Sequence, residues 1–165
     1  MRRRLLISDA NILIDMNAGG LLRPMFQLDA TFAVPNFLFE EELRGHHPEL
    51  LRLGLKSLEL QEQAVKYADQ LVRRHIALGA SINDLLALAL AWQEKCPLLT
   101  GDARLRDVGK QESVEVHGTL WLVGQMVDAR VIVARQTTAA YRKMQEAGRR
   151  LPWDEVEEQL HKLGK

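Results

Sequence analysis

The sequence predicts an α/β domain built on a mainly parallel sheet with helices on both faces. Three features predict it: short apolar runs that end in polar or acidic residues, intervening segments with apolar residues at helical spacing, and Gly or Pro at the junctions. Leu5-Leu6-Ile7, closed by Ser8-Asp9, suits a buried strand, and Asn11 to Ala18 carries a helical pattern that Gly19-Gly20 ends. Thr31 to Val34 repeats the strand. Pro35 stands where a helix accepts proline, opening a helix from Asn36 to Arg44 with Gly45 as its stop. Beyond the polar, helix-breaking His46-His47-Pro48, Ser57 to Leu60 forms a short strand and Gln61 to Ala77 an amphipathic helix, ended by Gly79-Ala80. Ser81 to Lys95 is apolar on nearly every face through Ile82, Leu85, Leu86, Leu88, Leu90 and Trp92, the pattern of a helix buried between other elements. Pro97 to Thr100 is a buried strand. The polar stretch Gly101 to Ser113 separates it from a weaker strand at Val114 to Val116, and residues 119–163 are helical with breaks near Gly148 and Pro152.

A chain of 165 residues fits one domain with a sizeable core. We expect residues 1–118 to form the α/β part and 119–165 a helical extension packed on it. The 22 basic and 22 acidic side chains cancel, so no whole-molecule field draws in nucleic acid and any such site must be local. The single cysteine, Cys96, cannot form an internal disulfide, and no apolar run approaches the roughly 20 residues of a membrane span. The basic opening Met1-Arg2-Arg3-Arg4 precedes only three apolar residues, too few for a secretory signal, so a cytoplasmic location is expected. Leu120, Trp121, Leu122, Val123, Met126, Val131, Ile132 and Val133 give the tail more apolar surface than a peripheral segment usually exposes, which points to a homodimer unless the tail folds back on its own core.

The chemistry resides in four acids. In a β-α-β unit the carboxyl end of the strand and the amino end of the next helix share one edge of the sheet, where such folds bind ligands. Asp9 leaves the first strand, Asp102 leaves the Leu98–Thr100 strand, Asp84 lies in the first turn of the Ser81 helix, and Glu41 lies in the second turn after Pro35. Carboxylates crowded together raise each other's pKa, so a hard divalent cation, Mg²⁺ or Mn²⁺, is their natural partner. Such an ion activates water and neutralises charge on a phosphodiester. Each acid also has a plainer reading. Asp9 can cap the following helix, Asp102 can make a turn with Gly101, Ser81-Ile82-Asn83-Asp84 can be a capping box, and Glu40-Glu41-Glu42 can be a solvated face. Those readings leave unexplained why all four reach one edge.

Ser8-Asp9-Ala10-Asn11-Ile12-Leu13-Ile14-Asp15, the acidic helix from Val34-Pro35 to Leu43, Ser81-Ile82-Asn83-Asp84 and Leu98-Leu99-Thr100-Gly101-Asp102 resemble, in order, the motifs of the PIN-domain family. The resemblance covers about residues 5 to 116. It implies a three-layer α/β/α sandwich, metal-binding or catalytic roles for Asp9, Glu41, Asp84 and Asp102, and Thr100 and Asn11 as supporting polar residues. It also implies metal-dependent cleavage of RNA. Many similar proteins are VapC-like toxins held by an antitoxin, whereas the long tail here resembles a less characterised prokaryotic branch. The family pattern puts the metal-facing glutamate six residues after the proline, at Glu41, but Leu38 stands four residues before Glu42, which stays a second choice. Two other readings compete: a PIN-like module that binds RNA or protein without cutting, and an aspartyl-phosphate phosphatase. The second wants an Asp where Asn11 stands and an active-site lysine.

Other candidates read as structure. His46-His47 with Glu49 forms an exposed loop rather than a zinc site, Cys96 packs, and Trp92, Trp121 and Trp153 serve core or oligomer packing. Arg104, Arg106 and Lys110 follow Asp102 and could touch phosphate, while Arg2 to Arg4 and Arg149-Arg150 are expected to be simply solvated.

Overall fold

A computed structural model describes residues 3–164; Met1 and Arg2 of the basic opening, and Lys165, lie outside them. Strands β1 (Arg4–Ser8), β2 (Ala30–Pro35), β3 (Lys56–Leu58), β4 (Leu98–Leu99) and β5 (Val116–His117) form one all-parallel sheet in the order β3-β2-β1-β4-β5. Helices α1 (Ala10–Ala18) and α2 (Leu22–Gln27) connect β1 to β2, and α3 (Asn36–Leu38) and α4 (Leu50–Leu53) connect β2 to β3. Then α5 (Glu62–His75) and α6 (Ile82–Glu94) carry the chain back across to β4, and α7 (Ala103–Gln111) leads to β5. Parallel crossovers are right-handed, so reversing the direction of travel moves α5, α6 and α7 to the opposite face from α1 to α4. The result is the expected three-layer α/β/α sandwich. Helices α8 (Thr119–Asp128), α9 (Ala134–Glu146) and α10 (Trp153–Leu163) complete the chain, with α8 and α9 packed on α2 and α1. No helix among the described residues is long and apolar enough to cross a membrane.

Parallel strands covered on both faces need near-continuous apolar sequence. Leu6, Ile7, Phe32, Ala33, Val34, Leu98 and Leu99 supply it, each at most 2% exposed. The order places β1 between β2 and β4, whose connections leave in opposite directions. That is the topological switch point, and its crevice opens at the carboxyl ends of β1 and β4.

Several expectations are corrected. The helix from Asn36 to Arg44 is not a regular α-helix: Phe39–Leu43 is a π-turn, closed by the Arg44 N–H donating to the Phe39 carbonyl at 2.8 Å. Pro35 ends β2 in extended conformation rather than opening the helix. The polar stretch after Asp102 is helix α7, which buries only Leu105, Val108 and Gly109, too few for a visible apolar stripe. Helix α2 was hidden by Pro24, which its first turn tolerates, and α4 by its single turn. The last strand falls at Val116–His117 rather than Val114 to Val116. Helix α6 lies buried between α5 and the sheet as expected, with Ile82 and Trp92 left exposed. The tail has a further break between α8 and α9, and it folds back on the core. Seven of its eight apolar residues are buried or half-buried and only Val133 is exposed, so packing within the chain accounts for the tail's apolar pattern.

Candidate active site

Asp9 anchors the crevice. It directly follows β1, and its own N–H extends the sheet by donating to the Leu99 carbonyl at 3.0 Å. Its side chain is 0% exposed. Oδ1 accepts from the Ile12 N–H at 2.9 Å, capping α1, and Oδ2 accepts from the Thr100 hydroxyl at 2.5 Å. Burial pushes the Asp9 carboxyl up to about 7, opposed by those two hydrogen bonds and reinforced by the charges of Asp84 and Asp15. The fully buried Thr100 links two candidates, because its hydroxyl also accepts from the Asp102 N–H at 3.1 Å.

Asp102 caps α7 by accepting from the Arg104 N–H at 2.8 Å, and Ser81 caps α6 by accepting from the Asp84 N–H at 3.0 Å. Asp9 and Asp102 each cap a helix, and at α6 the cap is the Ser81 hydroxyl. Asp84, half-buried, is pushed up by burial and then by the charge of Asp102.

The three glutamates part company in the π-turn. Glu40 turns outward to a bidentate pair with Arg44, at 2.6 and 2.7 Å, which holds its carboxyl below the usual range. Asn83, beside Asp84, donates to Glu41 at 2.9 Å and to Glu42 at 3.1 Å, so both face α6. Burial raises the Glu42 carboxyl, with smaller contributions from Asp84 and Glu41. The carboxylates of Asp9, Asp84, Asp102 and Glu42 thus form a chain of mutual repulsion. Among the described residues, no three acidic, histidine or cysteine side chains yet close around one point as a metal cage does.

One acid of this region escaped sequence reasoning as a functional candidate. Asp15, two turns along α1 from Asp9 and 4% exposed, accepts from the Arg149 guanidinium at 2.6 Å and the Thr119 hydroxyl at 2.8 Å. Arg149 also reaches Asn11 at 3.3 Å, which corrects its reading as simply solvated. The available signal was a lone acid on the apolar face formed by Ile12, Leu13 and Met16. Arg4, exposed, lies 5.3 Å over the Trp121 ring and 3.5 Å from Glu115. His46 is exposed as expected, and burial pushes the Cys96 thiol up to about 11, the behaviour of a packed rather than a reactive cysteine.

A doubly wound α/β domain with acidic side chains gathered at its switch-point crevice defines a class of proteins that handle ligands at the carboxyl edge of the sheet. A family model described as a PIN domain matches residues 5–165, and the chain belongs to the PIN-domain family, whose members are generally nucleases. The match runs through the helical tail as well as the sheet. No curated protein matches the chain.

Proposed function

We propose that the chain is a divalent-metal-dependent ribonuclease that cleaves RNA phosphodiesters at the carboxyl edge of β1 and β4. The observation that carries the reading is Asp9: a fully buried carboxylate with two neutral hydrogen-bond donors, other carboxylates nearby, and no cationic side chain paired to it among the described residues. Such a group is stable only if it is protonated or meets a cation. The donor set is all oxygen, which fits Mg²⁺ or Mn²⁺. Asp9, Asp84 and Asp102, with Glu41 or Glu42, would hold the ion, which supplies water activation and charge neutralisation at phosphorus. Thr100 and the Ile12 N–H fix the Asp9 carboxylate, each leaving its oxygen a further lone pair for a ligand. Asn83 holds Glu41 and Glu42 toward the same edge. In this reading residues 119–165 belong to the nuclease unit, and the protein works in the cytoplasm.

The test is cleavage of a mixed RNA pool with Mn²⁺, Mg²⁺ or EDTA, beside a phosphomonoester substrate. Wild type should cleave RNA only with metal; Asp9→Asn should abolish cleavage, Glu41→Gln should nearly abolish it, and Glu40→Gln should leave it unchanged. If Glu42→Gln is lethal to cleavage and Glu41→Gln is harmless, the metal-facing glutamate is Glu42. Metal-independent RNA binding without cleavage would favour the silent binding module instead, and phosphomonoester turnover the phosphatase. As the toxin of a toxin–antitoxin pair, the chain expressed alone would arrest growth in an Asp9-dependent way and be neutralised by a small antitoxin.

A further inference from the structure

Beside the acidic crevice lies a second cavity, of about 600 Å³, lined among others by Asn11, Asp15, Asp102, Arg104, Arg149 and Arg150. Its chemistry differs from that of the crevice. Arg149 and Asp15 cancel at 2.6 Å, which leaves Arg104 and Arg150 facing Asp102 alone. Among the described residues neither Arg104 nor Arg150 is paired with a carboxylate, and both are exposed. The cavity is therefore net positive at the margin of a net negative site.

The placement of these arginines is built rather than incidental. Helix α9 ends with Gly148 at φ +78°, and the Arg149 N–H reaches back to the Met144 carbonyl at 3.0 Å, a left-handed C-cap of the Schellman type. That turn aims Arg149 at α1, where its guanidinium bonds Asp15 and Asn11. Arg150, next in the chain, is thereby held at the cavity mouth. On the other side the Arg104 guanidinium lies against Gly79, whose φ of +86° and missing side chain leave it room beside the amino end of α6.

We propose that this cavity is a phosphate subsite: Arg104 and Arg150 hold backbone phosphates flanking the scissile one, and Arg149 is the positioning residue that pins the tail segment to α1. The proposal rests on the nuclease reading and deepens it, since a polyanionic strand leaving an acidic, cation-loaded crevice needs positive charge on its path. It also gives the helical tail a part in the site.

The experiment measures binding of a fluorescein-labelled single-stranded 12-mer, as RNA and as DNA, in EDTA across a salt series, with steady-state RNA cleavage in Mn²⁺ alongside. Arg104→Ala and Arg150→Ala should each weaken both strands about threefold to tenfold and lower the log–log salt slope by about 0.7. Each should raise KM with kcat nearly unchanged, because a flanking contact is made equally in ground and transition states. Arg149→Lys should behave like Arg150→Ala, and Arg23→Ala, at an exposed position of α2, should do nothing. If wild type cleaves RNA while the Arg104 and Arg150 variants bind with unchanged affinity and slope, or lose RNA binding but not DNA binding, the subsite is overturned and the nuclease reading stands. If wild type neither binds nor cleaves RNA, both fall.

Discussion

Asp9 caps the helix that carries Asp15, both are buried, and they meet opposite fates. Asp15 is given a cation: Arg149 neutralises it and Thr119 completes its shell. Among the described residues Asp9 receives only a hydroxyl and a backbone N–H, and its carboxyl is pushed up to about 7 by burial. A buried acid whose partner is supplied by the chain is an internal fastening. A buried acid whose partner is missing leaves a place for something from solution.

Removing each acid should therefore act in opposite directions. Asp15→Ala breaks a largely buried ion pair and strands Arg149 and Thr119, which should cost about 2–4 kcal/mol, at the lower end because Arg149 keeps part of its surface in water. Urea unfolding at pH 7 reads this directly, and an unchanged midpoint would end the contrast. Asp9→Asn should instead stabilise the metal-free protein at pH 8, by about 1–2 kcal/mol, since it removes a desolvated charge and keeps shape, a gain that outweighs the one accepted hydrogen bond lost because an amide nitrogen only donates.

The same contrast has a pH signature. The Asp9 carboxyl stands at about 7 in the fold against an ordinary 3.8. Between those values the folded chain binds more protons than the unfolded one, so metal-free stability falls as pH rises from about 4 to about 7. Asp9→Asn should remove most of that slope, and millimolar Mn²⁺ should offset it at pH 8 by binding the folded state alone. A wild-type curve parallel to the variant's would show that Asp9 is not the group titrating. The smallest effect belongs to Glu40, exposed and paired with Arg44, where Glu40→Gln should leave the urea midpoint unmoved.

The ease of reading these features from sequence follows their range. β1, β2 and β4 announce themselves because strands buried on both faces are apolar runs, and Asp9, Asp84 and Asp102 because each stands where a strand or helix boundary is visible. α7 was hidden because Arg104, Arg106, Asp107 and Lys110 dominate a helix that buries one narrow side. The π-turn was hidden because its extra residue per turn leaves no mark in the pattern of Glu40 to Glu42, so the choice among those glutamates needed Asn83 to show which two face α6. Thr119 and Arg149 were unreadable as partners of Asp15, because nothing local connects residues 104 and 134 positions apart.

Those separations also set the order in which the crevice can be assembled. β1 is made before the other strands, yet one flank waits for β4 and the fastening of α1 waits for Arg149, 134 residues after Asp15. At roughly 5–20 residues per second that is about 7–27 s of synthesis before the helix layer beside Asp9 is fastened, and Thr100 itself follows Asp9 by 91 residues. The surroundings of Asp9 are therefore complete only once residue 149 has been made, after every strand of the sheet.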